Sequence, residues 1–186
     1  MKLPFKILQV LWFGIPLLAS QWAPGQTGLA SVSKAREYSL ANRQVWEMIH
    51  NDQFAQALPI AQALTRETAR NLGKDHFEYV SSLSNLGMIY LNLEEFSLAK
   101  VQFEEARTLT VQAIGRSNSV YLSLAIGLAA ANRGIGIIDE AVRWIADAWQ
   151  IWSSNPAAHR LSAGHLLSER VATSIAAGNL DLAKES

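Results

Sequence analysis

An all-α chain built from antiparallel helix pairs is the fold class this sequence predicts, and three observations predict it. Within Ser81–Gly115, Leu83, Leu86, Gly87 and Tyr90 precede a short break at 92–95, and Phe96, Ala99, Phe103 and Ala106 follow it, which is the spacing of two helices joined by a tight turn. The residue opening the second half recurs at a constant step of 42 as Phe54, Phe96, Ile138 and Leu180, and a small residue three places on recurs as Ala57, Ala99, Ala141 and Ala183. Two columns with one fixed step are the mark of a stacked repeat array. Finally, 49% of the 186 residues are hydrophobic with only 11 Gly and 5 Pro, a composition of ordered helix and not of a disordered tail.

Residues 1–20 have the layout of a secretory leader. Lys2 and Lys6 give a positive end, Ile7–Ala19 is an apolar run interrupted by Gln9, Gly14 and Pro16, and Ala19 and Ser20 offer small residues for cleavage before Gln21. The run of 13 residues is shorter than the roughly 20 that a membrane-spanning helix needs. Cleavage is the expectation; an uncleaved N-terminal anchor at 7–19 and a buried leading helix are the alternatives, and a membrane association follows only from the uncleaved form. Residues 21–33 hold Pro24, Gly25 and Gly28 among small polar residues and read as a linker.

The helical pattern starts near Lys34 and continues to 186, in units of about 38–76, 80–118 and 122–160 with a partial fourth at 163–186. In the first unit Ala41, Val45 and Met48 share one helix face, Asn51-Asp52 makes the turn, and Phe54, Ala57, Leu58, Ala61 and Leu64 continue to a stop at Leu72-Gly73. Pro59 falls inside this second helix and predicts a bend or fraying there. The second unit carries Glu94 and Glu95 at the start of its second helix and ends at Gly115, one repeat step after Gly73. The third has a first helix rich in alanine and glycine, an acidic start at Asp139 and Glu140, the tryptophans Trp144, Trp149 and Trp152, and a stop at Pro156. In the fourth, a helix over 163–177 meets the turn Gly178-Asn179, and Leu180–Ser186 opens a second helix of about two turns. An array end without a polar capping helix leaves an apolar face.

The Leu-Gly-x-x-Tyr of Leu86, Gly87 and Tyr90, the aromatic and alanine at Phe96 and Ala99, and the Phe-x-x-Ala at Phe103 and Ala106 resemble the tetratricopeptide repeat. The 42-residue step, Asn85-Leu86 and the Leu-Gly-x-x-His of Leu72, Gly73 and His76 are similar to its kinesin-light-chain-like variety. Other units depart from the signature, with Val45 and Met48, Ala129 and Asn132, and Val171 and Ser174 at the glycine and tyrosine places. The resemblance implies a right-handed α-solenoid whose first helices line a concave groove that grips a peptide or helix of a partner protein. Carried over by position, that groove comprises Asn42, Arg43 and Trp46, then Ser81, Ser84, Asn85, Met88 and Asn92, then Ser123, Ile126 and Ala130, then Ser168 and Glu169. Asn85 matches the family's asparagine, whose amide both donates and accepts. Arg43, Gly127 and Glu169 stand at the corresponding places, so no asparagine ladder continues.

Chemistry finds little footing. Sixteen basic and 16 acidic residues balance, leaving no electrostatic footprint for nucleic acid, and the absence of cysteine removes thiolate metal sites, disulfides and a cysteine lipid anchor. No G-x-S-x-G elbow, Walker loop or H-E-x-x-H is present, and Gly134-Ile135-Gly136 lies at an inter-helix turn with no strand before it. His50, His76, His159 and His165 do not form a helical ligand pair, and His76 joins repeats in the resembled family. Glu94-Glu95, Glu104-Glu105 and Asp139-Glu140 read as solvated helix charges. The expectation is therefore a non-catalytic protein-binding scaffold without cofactor or metal, exported to the periplasm or outside the cell. The alternatives are the regulatory front end of a larger enzyme or signalling protein, and a structural piece that forms a homodimer through Trp149, Trp152 and Leu180 at the uncapped end.

Overall fold

The computed structural model describes residues 29–178, and among these the regular structure is helical with no strand. Seven α-helices follow one another: α1 Leu29–His50, α2 Phe54–Leu72, α3 Phe77–Asn92, α4 Phe96–Ile114, α5 Ser119–Ile135, α6 Ile138–Ser154 and α7 Ala163–Ala176, with a short 3-10 turn Arg160–Ser162 before the last. Each helix packs on the next, and α1 also packs on α3, α3 on α5 and α5 on α7. The odd-numbered helices therefore form a continuous layer, and each even-numbered helix returns along the one before it. Residues 1–28 and 179–186, which include the leader, most of the linker stretch and Leu180, lie outside the described residues.

The repeat step is written into the backbone. Asp52, Glu94, Gly136 and Gly178 are 42 apart and all have positive φ, at 58°, 60°, 91° and 71°. At the first three, two bonds close the helix end in the same way. Asp52 N–H donates to Ile49 O (3.2 Å) and Gln53 N–H to Met48 O (2.9 Å), and the pattern repeats with Glu94 on Leu91, Glu95 on Tyr90, Gly136 on Arg133 and Ile137 on Asn132. This is the Schellman arrangement, which satisfies the last carbonyls of the first helix and reverses the chain within three residues. Opposite ends of the pairs repeat too. His76 Nδ1 accepts from Glu78 N–H at 3.1 Å to cap α3, and one repeat later Asn118 Oδ1 accepts from Tyr121 N–H at 2.9 Å to cap α5.

Packing explains the recurring columns without appeal to function. Ala57, Ala99 and Ala141 are fully buried at the start of each second helix. Phe103 of α4 is wedged between first helices: an ideal Cβ on Gly87 of α3 would come within 2.7 Å of its ring, and one on Gly127 of α5 within 2.9 Å. Glycine at those two places lets the ring sit against bare backbone. Thr68 and Thr110, again 42 apart and fully buried, satisfy their hydroxyls by donating to Leu64 O (2.7 Å) and Ala106 O (2.8 Å) one turn back.

The helix bounds bear on two sequence expectations. Helix α1 starts at Leu29, inside the stretch read as linker, because Ala30, Ala35 and the charged residues after Ser33 tolerate helix once Gly28 is passed. Helix α2 runs unbroken through Pro59. Pro59 occupies the second turn on the exposed side, so the single lost donor falls where water replaces it.

Candidate interaction surface

The first helices carry the residues expected to line a groove, and the structure divides them. Arg43 is exposed, and Trp46 is half-buried and stacked on His50 with ring centroids 3.7 Å apart. Asn92, Ser123 and Ser168 are also partly exposed, while Ser81, Ser84, Met88, Ile126 and Ala130 are buried, Ile126 completely. Helix α3 is buried along its whole length from Phe77 to Leu91. The hydroxyl of Ser84 donates back to Val80 O at 2.8 Å, that of Ser123 to Ser119 O at 2.9 Å, and the amide of Asn92 to Met88 O at 2.9 Å. Polar side chains that looked ligand-facing thus close bonds within their own helices.

Asn42 and Asn85 form an inter-helix strut. Asn42 is 5% exposed and Asn85 3%. Asn85 Nδ2 donates to the Asn42 backbone carbonyl at 3.0 Å, and Asn42 Nδ2 donates to the Glu78 carbonyl at 3.1 Å and to Glu78 Oε2 at 3.0 Å. Ser82 Oγ completes the cluster by donating to Asn42 Oδ1 at 3.1 Å. The amide of Asn85 and that of Asn42 therefore hold α1 against α3. Burial raises the Glu78 carboxyl above its ordinary range, and the bonds from Asn42 and Ser39 offset only part of this.

At the other end of the layer Glu169 is buried and paired. Arg133 of α5 donates Nε to Glu169 Oε1 (2.8 Å) and Nη2 to Oε2 (3.0 Å), and Thr173 Oγ1 donates to Oε1 (3.1 Å). The two-pronged geometry orients α7 on α5. Beside it, Arg170 lies 4.2 Å from the centre of the Trp149 ring, which in turn lies 5.0 Å from that of Trp152. Trp149 and Trp152 are half-buried, and the Trp152 Nε1 is enclosed with no acceptor among the described residues. His165, 5% exposed, has its pKa lowered to about 4, first by burial and then by the charge of His50. His50 and His159 are lowered by burial as well.

No family model matches this chain. No curated protein is significantly similar to it either, so the geometry alone bears on what the chain does.

One recurring constellation escaped the sequence reading. Tyr79 OH donates to Glu105 Oε1 at 2.9 Å and Lys74 Nζ lies 3.1 Å from the same oxygen; one repeat on, Tyr121 OH donates to Asp147 Oδ2 and Arg116 Nη2 to Asp147 Oδ1, both at 2.6 Å. In each case the cation also stands over the tyrosine ring, at 5.7 and 5.3 Å. Burial and then the bond to the carboxylate raise both tyrosine pKa values. This brace ties the loop between units to the following second helix. Glu105, read as one half of a solvated acidic pair, is its acceptor. The signal was present as three matched columns, 74 with 116, 79 with 121 and 105 with 147. Among the described residues no cluster of three or more His, Asp or Glu could hold a metal ion.

Proposed function

We propose that this chain is a protein-interaction scaffold without chemistry of its own, a right-handed α-solenoid that holds a peptide or helix of a partner protein against its layer of first helices. The observation that carries the reading is the repeated left-handed turn at Asp52, Glu94, Gly136 and Gly178, because one turn at one step makes every helix pair present the same side. Arg43 and the Trp46–His50 stack supply the anchor: a half-buried tryptophan beside an exposed guanidinium is the residue pairing on which binding energy concentrates. We place this scaffold outside the cytoplasm on the strength of the leader at 1–20. No described helix is long and apolar enough to cross a membrane.

A pull-down with the tagged chain, compared with Arg43→Ala and Trp46→Ala variants of unchanged helicity, tests the reading. A discrete bound protein that both variants lose supports it. Equal recovery by all three proteins removes α1 as the contact, and turnover of a substrate by the purified chain overturns the scaffold reading altogether.

A further inference from the structure

The joint between α6 and α7 is built unlike the two before it. Residues 73–76 connect α2 to α3 and residues 115–118 connect α4 to α5, whereas residues 155–162 stand between α6 and α7. The longer joint comes from the helices on either side of it. One step of 42 from Ile114 and Ser119 would end α6 at 156 and start α7 at 161, yet α6 stops at Ser154 and α7 starts at Ala163. Pro156 accounts for the early stop, since a proline drives the residue before it out of helical backbone, and Asn155 has φ −153° and ψ 73°.

At this joint the columns that tie the first two hold other residues. The brace cations Lys74 and Arg116 are followed one step on by Ala158, the brace tyrosines Tyr79 and Tyr121 by Ala163, and the capping residues His76 and Asn118 by Arg160. Ser162, before the first turn of α7, makes no side-chain cap bond. Residues 155–158 are exposed. Gly164 then stands in the first turn of α7, where a Cβ would meet nothing within 4 Å and the backbone is helical. Neither packing nor a left-handed turn calls for glycine there, and what it adds is freedom of the chain. Beyond the joint, α7 is held by the Arg133–Glu169 pair, by Leu166 at 0% exposure and by Arg170 over the Trp149 ring.

We propose that α7 swings off α5 and α6 as one body, pivoting on residues 155–164, while α1–α6 stay assembled. The movement lifts Arg170 from the Trp149 ring, so α7 is a strap over the Trp149–Trp152 pair.

Native-state hydrogen exchange of the full chain, across a urea series below the unfolding transition, tests this with Gly164→Ala and Arg170→Ala as variants. The amides of 167–176 should exchange through one shared opening, protected less than those of α3 and α5 by roughly tenfold or more. Gly164→Ala leaves the opened chain fewer conformations and should slow that opening by roughly two- to fivefold. Arg170→Ala removes the cation from the ring and should speed it by a similar factor, roughly two- to fivefold. Neither variant should change exchange in α1. Exchange of 167–176 only together with α3 and α5 overturns the proposal, and so do unrelated rates along α7, which are fraying without a body. Equal opening of α1 and α7 overturns it as well, because a place at the edge of the layer and not this joint would then be the cause. An α7 opening that Gly164→Ala leaves unchanged removes the pivot.

Discussion

Replacing a helical glycine by alanine normally strengthens a helix, and at Gly87 the structure predicts the reverse. In an open helix interior the change gains about 1 kcal/mol. Here the new Cβ would stand 2.7 Å from Phe103 Cε1 and 2.9 Å from Cδ1 and Cζ, about 1 Å inside the distance at which carbon atoms attract. The ring has little room to move, because it also lies close against the bare backbone of Gly127, where a Cβ would come within 2.9 Å of it. Overpacking of this kind costs about 1–3 kcal/mol, so Gly87→Ala should lose stability despite the better helix former. Phe103→Ala, which empties a 2%-exposed site, should cost about 3–5 kcal/mol. Once the ring is gone the clash is gone, and adding Gly87→Ala to Phe103→Ala should then stabilise by about 1 kcal/mol. Urea unfolding of the four proteins measures the cycle, with an expected coupling of about 1–3 kcal/mol. Additive effects, or a Gly87→Ala protein more stable than its parent, would refute the wedge.

Three further outcomes are expected from buried polar groups. Glu78 has a folded pKa raised by burial, so its contribution to stability is full below the unfolded value and is lost as pH rises through the folded one; Glu78→Gln should raise the urea midpoint at pH 7, and the gain should vanish near pH 4. His165 works in the other direction. With a folded pKa of about 4 against an ordinary 6.5, stability is full above 6.5 and falls toward pH 4 by about 3 kcal/mol, a decline that His165→Asn should flatten in a series of pH-dependent melts. Arg133→Met strands the buried Glu169 carboxylate and should cost about 3–5 kcal/mol, whereas Arg133→Met with Glu169→Leu should recover most of the loss in the same melts.

The helical class and the repeat were legible because packing wrote them. Ala57, Ala99 and Ala141 need the same small volume against a neighbouring helix, so one residue type persists down the column. The turn column was not legible, since Asp52, Glu94 and Gly136 reach positive φ with three different side chains, and a glutamate there gives no hint of a left-handed backbone. The burial of two groove candidates was not legible for a related reason. Asn42 and Asn85 are polar residues on the side of the first helices that the resembled family exposes, and a polar residue reads as solvent-facing unless its partner is known. Their partners lie 36 and 43 positions away, beyond any local pattern. Glu105 hid in the same way, one carboxylate in a run of acidic residues whose tyrosine stands 26 positions earlier.

The first-helix layer is held differently at its ends and its centre. Between α1 and α3 the contact is the Asn42, Glu78, Ser82 and Asn85 cluster, and between α5 and α7 it is the Arg133–Glu169 pair. Between α3 and α5 stands the apolar wedge of Phe103 against Gly87 and Gly127. An apolar ring against bare backbone fixes position by shape, whereas a hydrogen bond to one carbonyl or carboxylate fixes it by direction. Buried polar pairs add little net stability, and one of their attested uses is to fix register. Within the described layer α1 packs on α3 and α7 packs on α5. Polar struts at the two ends of the described layer therefore set its register by direction, and the apolar wedge at the centre sets it by shape.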